Sequence, residues 1–316
     1  MPQPLPRVSS TLSGAVGGAP RAHAALQGAP EKAAEPQDEK GRQPLDRVEA
    51  SLTYFLDNGK KPAVYVTPIG EGEPRRDAEY APYSVAISNA RPLAADLSLE
   101  REGFSLVRHD TRVTNFYDED EVKSVYYPEM ERLVKEATGA SKVLVFDHTI
   151  RVDGGSKQND NGQAQATRTP VRSVHNDYTD RSGPQRVRDL LDEEEAEERL
   201  GRRFAVINVW RPIVGPVEAA PLAIADARSV APKDFVATDL VYEDRVGEYQ
   251  NVAYSPDHRW YYFPKMAREE AMLIKCFDSE TDGRARFTAH TAFDDPTTPA
   301  DAAPRESIEI RTLVFF

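Results

Sequence analysis

The sharpest chemical pattern in the chain is Val174-His175-Asn176-Asp177, a His-x-Asp that follows a polar stretch and precedes Tyr178. In extended backbone, side chains at i and i+2 leave on the same face, so His175 and Asp177 can reach one ion. A second histidine, His290, stands within Thr288-Ala289-His290-Thr291-Ala292-Phe293, and beyond it runs Pro304-Arg305-Glu306-Ser307-Ile308-Glu309-Ile310-Arg311. If Arg305 to Leu313 is a strand, Arg305, Ser307, Glu309 and Arg311 share one face, and Ile308, Ile310, Thr312 and Val314 the other. A line of cationic and hydroxyl groups suits a cavity that takes a carboxylate, arginine supplying a bidentate fork and serine a further donor. An exposed sheet face is the other reading of the same alternation.

Two histidines and one carboxylate with open positions form the ligand set of non-haem iron(II) oxygenases. His175, Asp177 and His290 meet that specification, leaving three positions for oxygen and a chelating co-substrate. Arg305 would then hold the far end of a 2-oxo acid. Cys276 is the sole cysteine, which excludes an intrachain disulfide and a cysteine-based metal cage, so a metal must be held by histidine and carboxylates.

The elements that must position these residues are mostly strands. After Arg203 the chain breaks into short β-rich runs: Phe204 to Trp210, Leu222 to Ile224, Phe235 to Tyr242, Trp260 to Phe263, Met272 to Phe277, Phe287 to Thr291 and Ile308 to Phe316. Strands at this spacing, separated by turn signals, predict a β-sandwich or barrel. Before them come strands at Ala63 to Val66, Phe104 to Val107 and Lys142 to Thr149. Val122, Val125, Tyr126, Met130, Leu133 and Val134 predict a helix from Glu119 to Ala137, ended by Gly139. The strongly acidic segment from Arg186 to Leu200 reads as one surface helix. Gly154 to Gln165 is a polar loop and a candidate lid.

The chain has 316 residues, 40% hydrophobic and 29% charged, so it can bury a sizeable core. Met1 to Pro44 has few side chains to bury and reads as a disordered tail; Leu45 to Phe316 reads as a single domain. No long apolar run and no basic-then-apolar N-terminus are present, so neither a membrane partner nor secretion is expected and the expected address is the cytoplasm. The net charge of −12, with basic residues scattered, argues against nucleic acid.

Several strings together carry a family resemblance: Phe146-Asp147-His148-Thr149-Ile150-Arg151, Val174-His175-Asn176-Asp177-Tyr178-Thr179, Asn208-Val209-Trp210-Arg211-Pro212, Tyr262-Phe263-Pro264-Lys265-Met266, and the two segments around His290 and Arg305. In this order they resemble the AsaB-type hydroxylase/desaturase family, which includes the fungal gibberellin desaturases and the CmcJ component of cephamycin methoxylation. The resemblance spans roughly Leu45 to Phe316. It implies a mainly β fold with flanking helices, a double-stranded β-helix or cupin-like jelly roll. It also implies an enzyme using iron(II), 2-oxoglutarate and molecular oxygen to hydroxylate, desaturate or cyclise a small secondary-metabolite or amino-acid-derived substrate. Substrate identity and oligomeric state do not follow from it.

Within that expectation Arg305 with Ser307 is the favoured co-substrate anchor, and Arg311, on the same face, is the second choice or a substrate partner. Asn208, Arg211 and Tyr262 are candidate substrate contacts, with packing as the alternative for each. His148 is a rival ligand or a hydrogen-bonded neighbour of the site; His109, His258 and His23 have poorer contexts. Two other functions fit the same triad: a cupin-type isomerase or hydrolase without 2-oxoglutarate, and a non-catalytic partner subunit. Succinate formation separates them.

Overall fold

A computed structural model describes residues 46–66, 75–154 and 167–316. The tail before Leu45, with His23, lies outside the described residues, and so does the candidate lid except Gly154.

Two sheets carry the fold. The six-stranded sheet runs Phe104–Arg108, Glu270–Asp278, Phe204–Pro212, Glu306–Phe315, Lys142–Val152, Thr167–Arg168. The larger sheet has at its centre Trp260–Tyr262, Leu222–Ala225, His290–Ala292, His175–Asn176 and Val246–Val252, in that order. This is a mainly β, jelly-roll fold with flanking helices, as the sequence implied.

Phe204–Pro212 shows why the chain makes a sheet here. Every residue in it is buried, and its β-branched and aromatic side chains suit a pleated strand covered on both faces. Phe204, Val206 and Trp210 pack with Leu222, Ile224, Met272 and Leu313 in the core between the sheets. Ala205, Ile207 and Val209 pack on the opposite face against Val122, Tyr126, Met130 and Val134. That helical stretch starts at Glu119, where Asp118 accepts from the amides of Asp120 and Glu121, passes through a π-helical turn at Val122–Tyr126, and closes at Gly139, whose φ of 70° is left-handed.

Three expectations need correction. The acidic segment is two helices, Ser182–Leu190 and Glu193–Leu200, because Asp192 takes an extended conformation and its side chain caps Glu195 N at 2.9 Å. Tyr80–Asn89, paired along its whole length with Arg47–Phe55, is a strand the sequence did not announce. Its burial is graded rather than cleanly alternating, so the period-two signal is weak. Val246–Val252 was also missed; Gly247, Glu248, Gln250 and Asn251 dilute its apolar content.

Candidate active site

His175 and His290 are direct cross-strand partners on adjacent strands of the larger sheet, which brings their rings to 4.5 Å between centroids. Each imidazole is held by its own strand: Nδ1 lies 2.8 Å from Ser173 O in His175 and 2.9 Å from Thr288 O in His290. A carbonyl only accepts, so Nδ1 carries the hydrogen in both rings and both Nε2 lone pairs are free. Asp177 lies on the same face as His175, with Oδ1 3.6 Å from His175 Nε2. One donor atom from each of His175, Asp177 and His290 lies within 4.8 Å of the others. The spacing argument therefore holds in three dimensions.

Asn176, between the two ligand candidates, is fully buried and ties the site to its surroundings. Its Nδ2 donates to Cys276 O at 3.0 Å, reaching the opposite sheet, and its Oδ1 accepts from Thr288 N at 3.2 Å. Thr288 packs in turn on Gly103, whose φ is +86° and where a Cβ would come within 2.2 Å of Thr288 Oγ1. Only glycine allows that approach.

The six-stranded sheet supplies the facing wall. Its register aligns three rows of inward side chains across neighbouring strands: Arg151 with Ser307 and Pro212, Thr149 with Glu309 and Trp210, and Asp147 with Arg311 and Asn208. Asn208 Nδ2 and Arg311 Nε reach Asp177 Oδ2 at 2.8 and 3.3 Å. A recess beside them is lined by Arg151, His175, Trp210, His290, Arg305 and Glu309, with Leu222 and Ala292 adding apolar surface.

Electrostatics separates the groups. Burial, reinforced by the neighbouring His290, pushes the His175 imidazole down to about 3, so it is neutral and fit to ligate. Burial would push Asp177 up, but the Arg311 guanidinium and the two imidazoles outweigh it and hold the carboxyl well below its usual range. Arg305 is pulled down to about 9 by burial and then by the cation of Arg151. Its environment is short of negative charge. Arg305 Nε and Ser307 Oγ are buried without a hydrogen-bond partner, and Arg305 Nη1 donates only to Ala220 O, at 2.7 Å. Two unused donors beside two imidazoles and an ionised carboxylate fit a metal-chelated acid with a distal carboxylate.

The remaining candidates are dispersed. Arg311 spends its donors on Asp147, Thr149, Glu309 and Asp177, so it is not free to anchor a co-substrate. Arg211 belongs to the opposite face of its strand, where Nη2 donates to His109 O at 2.5 Å and the guanidinium lies over Tyr126. Tyr262 lines a separate recess with Glu218, Lys265 and Asp295. His148 also faces away, 2.8 Å from Tyr127 Oη, and His258 is held between Tyr54 and Asp234. Sequence reasoning missed Arg151 as a lining residue, and placed Glu309 on the cavity face without giving it a role. Alternation on Lys142–Val152 would have given Arg151 once Ser307 was assigned inward.

Comparison with known proteins agrees with this geometry. A family described as "Oxidoreductase/YMDC permease-like domain" matches residues 52–315. The hydroxylase/desaturase efuI of Hormonema carpetanum is 36% identical over 258 residues, covering 75% of this chain and 85% of that protein. The Fe(II)/2-oxoglutarate-dependent dioxygenase nvfI of Aspergillus novofumigatus is 34% identical over 82% of this chain and 93% of its own length. The solved structure of the iron and alpha-ketoglutarate-dependent endoperoxidase NvfI superposes with a TM-score of 0.75 at 29% identity, covering 85% of this chain and 98% of that one.

Proposed function

The chain belongs to the AsaB-type hydroxylase/desaturase family of iron(II)/2-oxoglutarate-dependent dioxygenases, and from that premise we propose that His175, Asp177 and His290 hold its iron while Arg305 and Ser307 hold the distal carboxylate of 2-oxoglutarate. The observation that carries this reading is the pair of unused buried donors, Arg305 Nε and Ser307 Oγ, the first of them on a residue lining the recess that also contains both imidazoles. An isomerase or hydrolase with the same triad has no need of them.

Held by His175, Asp177 and His290, iron(II) would supply the oxidising chemistry for an unactivated carbon, with 2-oxoglutarate given up as succinate and carbon dioxide. The chain's own residues orient and shield. Ser173 and Thr288 carbonyls fix the two imidazoles. Trp210, with the Arg305 guanidinium 5.5 Å from its ring, closes one side and Leu222 and Ala292 another, keeping water from the reacting carbon. Arg151, less buried than Arg305, also lines the recess. The relatives' names place hydroxylation, desaturation and endoperoxide formation within reach of this fold; the outcome for this chain depends on how its substrate lies. Among the described residues no helix is long and apolar enough to cross a membrane; a cytoplasmic address, with no nucleic-acid partner, completes the proposal.

The test is single-turnover succinate formation. Iron-loaded wild-type chain should make succinate from 2-oxoglutarate and oxygen, and His175→Ala and Asp177→Ala should not. Succinate from all three at equal rates would refute the assignment.

A further inference from the structure

The geometry points to Asn208 and Arg311 as a positioning pair that fixes one oxygen of Asp177 and leaves the other for the metal, an inference that rests on the iron site proposed above. The two residues are register partners on the neighbouring strands Phe204–Pro212 and Glu306–Phe315, and both lie across the core from Asp177. Asn208 Nδ2 donates to Asp177 Oδ2 at 2.8 Å and Arg311 Nε donates to the same oxygen at 3.3 Å. Oδ1 is the oxygen turned toward His175 Nε2, 3.6 Å away. A carboxylate free to turn can offer a metal both oxygens and use up a position that oxygen or the co-substrate needs. Two donors on Oδ2 prevent that.

Two further observations separate this role from simple packing. Asn208 Oδ1 is buried without a partner: the amide leaves its acceptor unsatisfied while its donor faces Asp177, and the reverse orientation would set two acceptors against each other. Arg311 is itself fixed from the recess side, with Nη2 on Glu309 Oε1 at 2.7 Å and Nη1 on Asp147 Oδ2 at 2.9 Å. Glu309 therefore holds Arg311, Arg311 holds Asp177, and of Arg305 and Arg311 only Arg305 keeps a buried donor free.

The experiment uses the full chain, stripped of metal, and measures Mn(II) affinity, then 2-oxoglutarate affinity at saturating Mn(II) without oxygen, then the thermal midpoint of the metal-free protein. The variants are Asn208→Leu, which removes the donor and the unpaired acceptor together, and Arg311→Lys, which keeps the charge and loses the fork. Each should weaken Mn(II) binding by roughly 10- to 100-fold. At saturating metal, 2-oxoglutarate affinity should stay within about threefold of wild type, and metal-free Asn208→Leu should melt no lower than wild type. Wild-type Mn(II) affinity in Asn208→Leu, or an Arg311→Lys that keeps its metal and loses 2-oxoglutarate tenfold, would overturn the inference and return Arg311 to the role of anchor. Failure of the iron-site reading looks different: wild-type Mn(II) affinity would then be unchanged by His175→Ala.

Discussion

Arg305→Met removes the guanidinium and keeps most of the apolar stem, and its effect can be worked from the structure. Arg305 is 2% exposed, its Nε and the neighbouring Ser307 Oγ have no partner, and burial with the nearby Arg151 disfavours its charge. An anion arriving here gains a fork of charged hydrogen bonds and compensates a buried cation. A hydrogen bond to a charged group contributes about 1.5–3 kcal/mol; for two bonds sharing one carboxylate, which are not fully additive, we take about 3–4 kcal/mol. At ~1.4 kcal/mol per decade this is roughly a 100- to 1,000-fold loss of 2-oxoglutarate affinity. The assay is anaerobic calorimetric titration of 2-oxoglutarate into the iron(II)-loaded chain. Pyruvate, which has the 2-oxo acid and lacks the distal carboxylate, is the control: it should bind wild type and Arg305→Met alike. The metal-free variant should melt at or above the wild-type temperature, because a buried cation without a counter-charge costs stability. An affinity for 2-oxoglutarate within about threefold of wild type would refute the reasoning.

Gly103→Ala forces a Cβ to within 2.2 Å of Thr288 Oγ1 at a φ of +86°; displacement of Thr288 should loosen His290 and lower iron affinity and melting temperature together, and an unchanged pair of values would argue against the Gly103–Thr288–His290 linkage. Asp278 has no exposed surface and pairs with Arg203 at 2.7 Å and Lys275 at 2.8 Å; burial opposes its charge, but these cations outweigh it and hold the carboxyl below its usual range. A carboxyl depressed in the folded state stabilises above its unfolded value near pH 4 and loses that contribution as pH falls through the folded value. Asp278→Asn should therefore cost about 3–5 kcal/mol at pH 7 by denaturant titration, with the gap to wild type narrowing below roughly pH 4; a pH-independent gap would contradict the ion-pair account. Arg211→Met should leave iron and 2-oxoglutarate affinities within about twofold, and should not lower stability, because Nε and Nη1 of Arg211 are buried without partners. A tenfold loss of either affinity would mean that Arg211 communicates with the recess.

What could be read from the sequence follows from how local the determinants are. His175 and Asp177 share a face because extended backbone alternates, and that needs no knowledge of the rest of the chain. The same rule placed Arg305, Ser307, Glu309 and Arg311 together, and all four do face inward. Their division of labour was not legible, because it depends on partners from other strands: Arg311 is consumed by Asp147, Glu309 and Asp177, residues remote from it in the chain or unassigned without the sheet register. Arg211 was grouped with Asn208 on one strand, although odd and even positions must part. Alternation alone excludes Arg211 from the face that carries Asn208. The break at Asp192 was readable in principle as a helix cap, whereas Tyr80–Asn89 is a strand chiefly because Arg47–Phe55 lies beside it.

The central claim is that one iron, held by His175, Asp177 and His290, chelates a 2-oxo acid whose far end meets Arg305. Anaerobic addition of iron(II) and then 2-oxoglutarate to the metal-free chain tests it most directly, by the weak visible charge-transfer band of an iron-chelated 2-oxo acid. The account predicts a band that saturates at one iron per chain, disappears in His290→Ala, and in Arg305→Met needs roughly 100-fold more 2-oxoglutarate to develop. A chain that binds iron tightly and gives no band, or a band that survives His290→Ala at full intensity, would contradict it.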